Sequence, residues 1–359
     1  MERDSSFRFQ VSGSKFQIQS SLIRLFCYFV ILLFSYSVRA QQSQPITQYL
    51  FSRFLLNPAA CGSNGYTSVG MALKDQWTGF GNSPSNQVLF GQIRVPREGL
   101  FREHTRNRHL GITPENIGLG IALFNDIRGP IRTTGTQFTY AYHIEDRYGQ
   151  LSFGLTASMF QFYVNRDKIT TAEYDQYLHS IKLSKIIPDA LFGMHYTASD
   201  YYAGFSVSNL FQSFLTFGGR NSSNYRIERQ YLAMGGYIFE LNREWSLVPA
   251  LQFKMTERAA AQVDINVLAY YFDRFWGGFS YRSGGGGATG GTSLIFGARY
   301  KEYFFGYAFD YTLSSIRKYS FGSHELMVTH TFGQYERFFR YKRRYEFQYS
   351  RQTGRRIYP

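Results

Sequence analysis

Near the end of the chain, large aromatic residues alternate with small or polar ones without interruption. The aromatic positions are Tyr303, Phe305, Tyr307, Phe309 and Tyr311, and the residues between them are Phe304, Gly306, Ala308 and Asp310. A period of two predicts an extended strand, because successive side chains of a strand point to opposite faces. So dense an aromatic face is typical of a strand that faces lipid between two aromatic girdles. We interpret this stretch and the alternating residues Leu326, Val328, His330 and Phe332 as the closing hairpin of a membrane barrel.

The same alternation predicts fourteen strands in all. They lie near 67–78, 85–95, 117–125, 133–145, 150–164, 189–198, 200–209, 230–240, 244–255, 261–272, 274–283, 292–300, 302–313 and 323–332. The predicted fold class is therefore all-β, a transmembrane antiparallel β-barrel of the outer-membrane type with about 14 strands. A soluble β-sandwich is the alternative, but it explains neither the aromatic faces nor the N-terminal signal described below.

The lengths of the connections support a barrel. Alternate connections are short, near 146–150, 199–200, 241–243, 273 and 301, whereas the others include the long ones near 165–188, 210–229 and 283–291. Bacterial barrels have short periplasmic turns and longer extracellular loops. An even strand count then predicts that both termini are periplasmic. The connection from Pro96 to Asn116 is the exception, because it is long and falls on the predicted periplasmic side.

The chain divides into four predicted parts. Arg24, the apolar run Leu25 to Phe34, and the small residues before Gln41 predict a signal peptide over 1–40. Residues 41–66 form an N-terminal periplasmic or lumen segment, 67–332 the barrel, and 333–359 a basic aromatic periplasmic tail. Beyond residue 40 the sequence has no apolar run of helical membrane-spanning length, and 19% of all residues are aromatic. Both properties favour spanning strands over spanning helices.

The chain contains two cysteines, of which Cys27 lies in the predicted signal peptide. Cys61 therefore has no partner for an internal disulfide. A lipoprotein acylation site at Ala59-Ala60-Cys61 is disfavoured, because Asn57 and Pro58 interrupt the apolar run that such a site requires. We expect Cys61 to be a small buried residue.

Positive charge is concentrated in two segments on the predicted periplasmic side. Arg94 to His109 has five Arg against two Glu, and Gly333 to Pro359 has eight Lys or Arg against two Glu. The tail is either a solvated extension or a docking segment for a partner with an acidic surface. Its candidate partner-binding residues are Arg337, Arg340, Lys342, Arg343 and Arg344. A secreted protein does not meet nucleic acid, so we predict no nucleic-acid partner.

No catalytic set or metal site is evident in the sequence. The histidines lack metal-ligand spacing, and the glycines of Ser283 to Gly291 lack the Gly-Lys-Ser/Thr ending of a phosphate-binding loop. His324 and Glu325 are adjacent, so on a strand they point to opposite faces. We predict that the protein is not an enzyme and has no cofactor. An outer-membrane hydrolase with residues dispersed over the barrel wall is a weaker alternative.

Several short motifs, read in order, resemble the PorP/SprF family of type IX secretion system outer-membrane proteins of Bacteroidetes. They are Gln48-Tyr49, Leu55-Leu56-Asn57-Pro58-Ala59, Lys74-Asp75-Gln76-Trp77-Thr78-Gly79, Asn116-Ile117-Gly118-Leu119-Gly120, Tyr202 to Leu210 with Asn209, Trp276 to Arg282, Gly306 to Tyr311 with Asp310, and Gly322-Ser323-His324-Glu325. Each motif alone is weak. Together they cover nearly the whole predicted mature chain in one consistent order.

The resemblance implies an outer-membrane component that supports export or surface display of cargo proteins, in some members gliding adhesins. It also implies contacts with periplasmic ring and lipoprotein subunits, with secreted cargo and with outer-membrane lipid. The sequence departs from the family at its end, because 27 residues follow Phe332. The usual presentation of the last strand to the assembly machinery is therefore in question.

The N-terminal motif keeps a second function open. Asn57-Pro58-Ala59-Ala60 suits a segment folded back into the lumen, since Pro cannot join the strand ladder. Fourteen-stranded fatty-acid channels also carry such a segment, so a channel for hydrophobic or small solutes is the alternative. Trp77 suits an interface position. The residues predicted to face the lumen are polar, which disfavours an apolar channel; they are Ser152, Thr156, Asp264, Asn266 and Asp310.

Overall fold

The structure is a computed structural model. It describes residues 47–332 apart from 80, 96–115, 147, 166–167, 169–183, 217–223, 258, 284–289 and 314. The predicted signal peptide and the C-terminal tail from Gly333 onward lie outside the described residues.

Seventeen strands form in the described part of the chain. They are β1 (Thr67–Asp75), β2 (Ser85–Arg94), β3 (Ile117–Arg128), β4 (Ile131–Glu145), β5 (Gly149–Val164), β6 (Ser184–Ala198), β7 (Tyr201–Ser208), β8 (Phe214–Thr216), β9 (Asn224–Arg226), β10 (Gln230–Tyr237), β11 (Phe239–Glu240), β12 (Trp245–Thr256), β13 (Ala259–Tyr271), β14 (Phe275–Ser283), β15 (Gly291–Tyr300), β16 (Tyr303–Thr312) and β17 (Ser323–Phe332).

Fourteen of these strands close into one antiparallel barrel. Neighbours in sequence pair in order, β1 pairs with β17, and β10 pairs with both β7 and β12. β8 and β9 form a separate hairpin, and β11 is a two-residue extension alongside β12. The predicted fold class and the fourteen predicted strands are confirmed.

One strand begins earlier than predicted. β6 starts at Ser184, so Pro188 lies inside the strand rather than in the preceding connection. Proline is tolerated there because β6 pairs with β7 only from Phe192 onward. The Pro188 carbonyl accepts a hydrogen bond from the Ser213 hydroxyl instead, at 3.3 Å. On the other side of β6, Pro188 lies in register with Met159 of β5.

The two ends of the barrel differ, as the connection lengths predict. At one end, β4–β5, β6–β7, β13–β14 and β15–β16 are joined by two or three residues each. We call this the short-turn end. The connections β5–β6, β7–β10, β14–β15 and β16–β17 lie at the other end, which we call the long-loop end. The predicted exception stands, because the long connection between β2 and β3 falls at the short-turn end.

The barrel wall has an apolar outside and a polar or small inside. Along β16, the aromatic positions predicted to face lipid are exposed except for the partly buried Phe309, and Phe304, Gly306, Ala308 and Asp310 are buried. The five polar positions predicted to face the lumen are all buried. Burial inside the barrel means contact with the opposite wall or with the N-terminal segment, because a sheet of one layer cannot bury its own inner face.

Candidate functional site: a segment packed in the lumen

Residues 47–66, here called the lumen segment, lie inside the barrel. The segment folds into three single-turn 3-10 helices, Tyr49–Phe51, Arg53–Leu55 and Pro58–Ala60, most of whose residues are buried. The Phe51 ring lies 5.0 Å from Trp276 of β14, and the Phe54 ring lies 5.7 Å from Phe90 of β2, measured between ring centroids. Aromatic pairs at such distances contribute about 1 kcal/mol beyond their area. The barrel and the segment thus share one hydrophobic core.

The beginning of the segment is held by three charged residues of β1, β16 and β17, here called the clamp: Lys74, Asp310 and Glu325. The Lys74 ammonium lies 2.7 Å from Asp310 and 3.2 Å from Glu325. The backbone N–H groups of Thr47 and Gln48 donate to the two carboxylate oxygens of Glu325, at 2.8 and 2.9 Å. The Thr47 hydroxyl donates to Asp310 at 2.8 Å and accepts from Lys74 at 2.7 Å.

These bonds satisfy every buried charge of the clamp. Lys74 and Glu325 are both almost completely buried, and an unpaired ion there would cost several kcal/mol. The backbone of the lumen segment supplies two of the donors that Glu325 needs. The segment is therefore part of the electrostatic balance of the wall, and its removal would leave Glu325 short of partners.

The rest of the segment lies against the inner face of the wall, along one row of small residues. The row joins β3 to β7 through directly paired positions, in the order Gly118, Ala141, Gly154, Gly193 and Ser206. We call this the small-residue row. A methyl group on Gly118, Gly154 or Gly193 would collide with Cys61, with Pro58 and Ala59, or with Asn57. The row therefore exists because the backbone of the segment approaches the sheet where no side chain intervenes.

Asn57 fastens the segment to two strands of the row. Its side-chain oxygen accepts from the Ala59 N–H at 3.0 Å and caps the helix that begins at Pro58. Its side-chain nitrogen donates to the carbonyls of Met194 in β6 and Phe205 in β7, at 2.9 and 3.3 Å. Asparagine is suited to this position because one amide supplies both an acceptor and two donors. The Asn-Pro pair thus combines helix start and wall attachment.

Cys61 is fully buried at the end of the third helix and forms no disulfide. It approaches Gly120 of β3, where an added methyl carbon would lie 2.7 Å from its sulfur. Burial raises the pKa of the Cys61 thiol to about 12, so the thiol stays protonated and inert. The expected role as a small buried residue is confirmed.

A second polar cluster extends around the lumen. Arg282 Nε lies 3.0 Å from Asp264, and the Gln262 amide donates to the other oxygen of Asp264 at 2.8 Å. Asn266 on the same strand donates to the Tyr49 hydroxyl at 2.8 Å. The lumen segment therefore has polar contacts with β13 as well as with the clamp.

The remaining motif residues lie at the long-loop end. The Gln76 N–H donates to Pro84 at 2.8 Å, closing the β1–β2 connection, and Gly322, with φ +97°, accepts there from the Thr78 N–H. Asn209 has φ +58° and donates to the Glu228 carbonyl at 2.8 Å. Glycine and asparagine adopt such left-handed conformations most readily. These residues shape connections and form no common site with the lumen segment.

The side chains of Trp77, His324 and Glu325 show which face of the barrel wall each of these motif residues occupies. The Trp77 indole N–H donates to the Thr312 hydroxyl, 3.1 Å away on the inner face of β16. It is therefore directed to the lumen mouth rather than to the lipid interface expected for it. His324 faces outward, with Nδ1 2.7 Å from the Tyr307 hydroxyl, whereas Glu325 faces inward. The adjacent pair thus occupies opposite faces, as the strand pattern requires.

The candidate partner-binding residues Arg337, Arg340, Lys342, Arg343 and Arg344 lie outside the described residues. So does most of the basic segment from Arg94 to His109. Arg94 itself lies inside the barrel, where it forms an ion pair with Glu145 at 3.1 Å and donates a hydrogen bond to the Gln150 side chain.

Sequence reasoning singled out Asn57, Asp310 and Glu325 but missed the contacts by which they hold the segment. Lys74 and Glu325 appeared only as parts of motifs, and nothing in the alternation joined them to Thr47. The small-residue row was visible only as isolated glycines. Its signal is that the glycines share one register across neighbouring strands, which requires the pairing scheme. Among the described residues no His, Cys, Asp and Glu side chains cluster as a metal site would require, and no helix is long and apolar enough to cross a membrane.

The apolar outer face, the closed ladder and the filled lumen define a transmembrane β-barrel of the outer-membrane class. The family model described as type IX secretion system membrane protein PorP/SprF matches residues 38–330. The chain therefore belongs to the PorP/SprF family of type IX secretion system membrane proteins.

Solved structures with a similar arrangement are outer-membrane channels. The CymD monoaromatic hydrocarbon channel is 12% identical with a TM-score of 0.46, over 83% of this chain and 96% of that one. The TodX monoaromatic hydrocarbon channel deltaS2 mutant is 6% identical with a TM-score of 0.46, over 79% and 94%. A triple mutant of the Rhodopseudomonas blastica porin is 7% identical with a TM-score of 0.34, over 74% and 99%. A search among curated protein sequences finds no match.

Proposed function

We propose that this barrel supports the export or surface display of a cargo protein by the type IX secretion system. The cargo class is a large surface protein, such as a gliding adhesin of a Bacteroidetes cell. The observation that carries the proposal is family membership over residues 38–330.

The orientation follows the general plan of bacterial barrels, with the short-turn end in the periplasm. β17 ends at Phe332 at that end, so the basic tail begins in the periplasm. We propose that the tail binds periplasmic ring or lipoprotein subunits through acidic surfaces on those partners. Its net positive charge and its aromatic residues suit such a contact.

The proposal is tested by quantitative proteomics of the medium and the cell surface after deletion of the gene. Loss of many exported proteins marks a core subunit, and loss of one large adhesin marks a dedicated partner. Unchanged fractions would contradict a secretion role. Deleting Gly333–Pro359 is expected to weaken co-purification of the periplasmic subunits while the barrel still inserts. Undiminished co-purification would exclude the tail as their binding segment.

The alternative is a channel for hydrophobic or small solutes, favoured by the N-terminal Asn-Pro-Ala segment in the lumen. The buried polar positions Ser152, Thr156 and Asp264 disfavour it, because an apolar solute requires an apolar path. Uptake of a radiolabelled aromatic hydrocarbon by cells with and without the gene separates the two functions. Gene-dependent uptake together with unchanged secretion would select the channel.

A further inference from the structure

We propose that the outward face of β2 to β6, beyond the lipid-facing band at the long-loop end, binds the phosphorylated head groups of outer-leaflet glycolipids. This assignment requires the long-loop end to be outside the cell, as proposed above, but it requires no role in secretion. The surface lies on the outside of the wall and is therefore separate from the lumen segment.

Three neighbouring strands are longer than a membrane requires. β4, β5 and β6 contain 15, 16 and 15 residues, whereas β1, β7, β10 and β14 contain 9, 8, 8 and 9. About 10 residues of a tilted strand span the hydrocarbon layer. Turns of two or three residues join β4 to β5 and β6 to β7 at the short-turn end, so the extra residues lie at the long-loop end. Five residues at about 3.3 Å each, tilted by about 40°, rise roughly 13 Å beyond the lipid band.

The outward side chains of β2 to β5 change from apolar to polar toward the long-loop end. The last apolar and first polar positions on each strand are Leu89 and Gln87, Leu123 and Asn125, Phe138 and Thr136, and Met159 and Gln161. On β16, by contrast, the outward side chains stay aromatic as far as Tyr311. Hydrocarbon cannot hydrogen-bond to polar groups, so the change marks the edge of the lipid band on β2 to β5. The head group of a lipid whose chains contact Phe138 therefore lies beside these polar positions.

The polar side chains beyond this edge are joined by hydrogen bonds. We call them the outer polar surface: Gln87, Asn125, Arg132, Thr134, Gln161 and Ser184. The side-chain oxygen of Asn125 accepts from Arg132 Nε at 3.1 Å and from the Thr134 hydroxyl at 2.9 Å, and its nitrogen donates to Gln87 at 3.2 Å. The Gln161 amide donates to the Ser184 hydroxyl at 2.8 Å. These bonds hold the side chains against the sheet although the surface is exposed.

The chemistry of the surface suits a phosphorylated sugar. Among the outward-facing described residues of β2 to β6, Arg132 is the only charged one. An exposed face in bulk water usually carries charges of both signs. Here one guanidinium, which can bind a phosphate through two parallel hydrogen bonds, is surrounded by amides and hydroxyls that can donate to or accept from sugar hydroxyls. The absence of a carboxylate on this described face favours an anionic head group.

Lipid binding to the purified protein in detergent micelles tests the proposal. Bisphosphorylated lipid A, phosphatidylglycerol and phosphatidylcholine are titrated separately, and binding is followed by native mass spectrometry. The unsubstituted protein is expected to bind lipid A more tightly than either phospholipid. Arg132→Gln keeps a polar side chain but removes the charge, so it should raise the apparent dissociation constant for lipid A about tenfold.

Arg317→Gln is the matched control. Arg317 is exposed at the same end of the barrel, but it lies in the connection between β16 and β17. The change in charge is the same, so binding of lipid A should stay as tight as in the unsubstituted protein. Heat-modifiable migration in electrophoresis confirms that each variant is a folded barrel.

Two results would overturn the assignment. Equal weakening by Arg132→Gln and Arg317→Gln would mean that only net charge matters. Binding of phosphatidylglycerol at least as tight as that of lipid A would mean that the surface does not recognise a glycolipid. Secretion is not part of the readout, so failure of the proposed secretion function would leave this test unchanged.

Discussion

Two groups of strands in the barrel wall hold the same lumen segment by different means. In β1, β16 and β17 the wall reaches inward with long charged side chains, and the clamp binds the backbone of Thr47 and Gln48 through Glu325. In β3 to β7 the inward-facing residues of the small-residue row are small, so the backbone of Asn57 to Cys61 can lie directly against the sheet. The first group depends on charged side chains. The second depends on close approach of the backbone, to which Asn57 adds hydrogen bonds to backbone carbonyls of β6 and β7.

The difference indicates which kind of substitution should destabilise each group of strands. Removal of a charged group from the clamp leaves its partners buried without compensation, which is costly whatever the shape of the replacement. The small-residue row has almost no polar groups to lose, but any added atom meets a backbone that cannot move independently. We therefore expect the clamp to respond to deletions of atoms and the row to respond to additions.

The largest effect is expected from Glu325→Ala. The substitution removes one of the carboxylates that contact Lys74 and leaves the N–H groups of Thr47 and Gln48 without their acceptor. Breaking a buried ion pair costs about 4 kcal/mol. The free energy of unfolding, measured by denaturant titration in lipid vesicles with tryptophan fluorescence, should fall by about that amount.

His324→Ala is the matched control, because His324 adjoins Glu325 on the same strand but faces outward. It forms one hydrogen bond, to Tyr307, so its loss should cost about 1 kcal/mol. Equal losses for the two variants would show that the inward charge is not what holds the segment.

A smaller loss of stability but a clear displacement is expected from Gly154→Ala. The added methyl group would occupy the space of Pro58 and Ala59, so the segment must move away from β5. Overpacking of this kind costs about 2 kcal/mol. Cys61, which is inert when buried, reports the movement: maleimide should label it in folded Gly154→Ala and not in the unsubstituted protein.

Gly91→Ala provides the comparison for this variant. Gly91 lies on β2, which pairs with β3 at the start of the small-residue row. An added methyl carbon there would be no closer than 3.7 Å to the nearest side-chain atom. Cys61 should stay unlabelled in this variant. Protection of Cys61 in Gly154→Ala as well would mean that the segment does not rest on the row.

The barrel could be predicted from the sequence because each wall strand carries its own signal. Alternation along β16 depends only on which face meets lipid, and that is a local property of nine residues. The clamp and its contact with Thr47 could not be predicted, because the residues involved are widely separated in sequence and meet only after the barrel closes. The clamp residues are Lys74, Asp310 and Glu325.

The small-residue row illustrates a second limit of prediction from sequence. Gly118, Gly154 and Gly193 each read as an ordinary small residue on the polar face of a strand. What they share is a register, and register follows from the complete ladder rather than from any one segment. Asn57 and Pro58 were singled out as a segment folded into the lumen, but their partners in β6 and β7 follow only from the pairing of those strands.

The smallest effect is expected from Ser206→Ala, at the one polar position of the row. The Ser206 hydroxyl donates to the Leu56 carbonyl at 2.7 Å, and loss of one such bond costs about 1 kcal/mol. Alanine adds no atom, so the segment should stay in place and Cys61 should stay unlabelled. Ser208→Ala, on the same strand with a longer 3.5 Å bond to Gln230, should be nearly neutral in the same denaturant titration. If Ser206→Ala instead exposed Cys61, the small-residue row would hold the segment mainly by hydrogen bonding. The contrast between the clamp strands and the strands of the row would then be wrong.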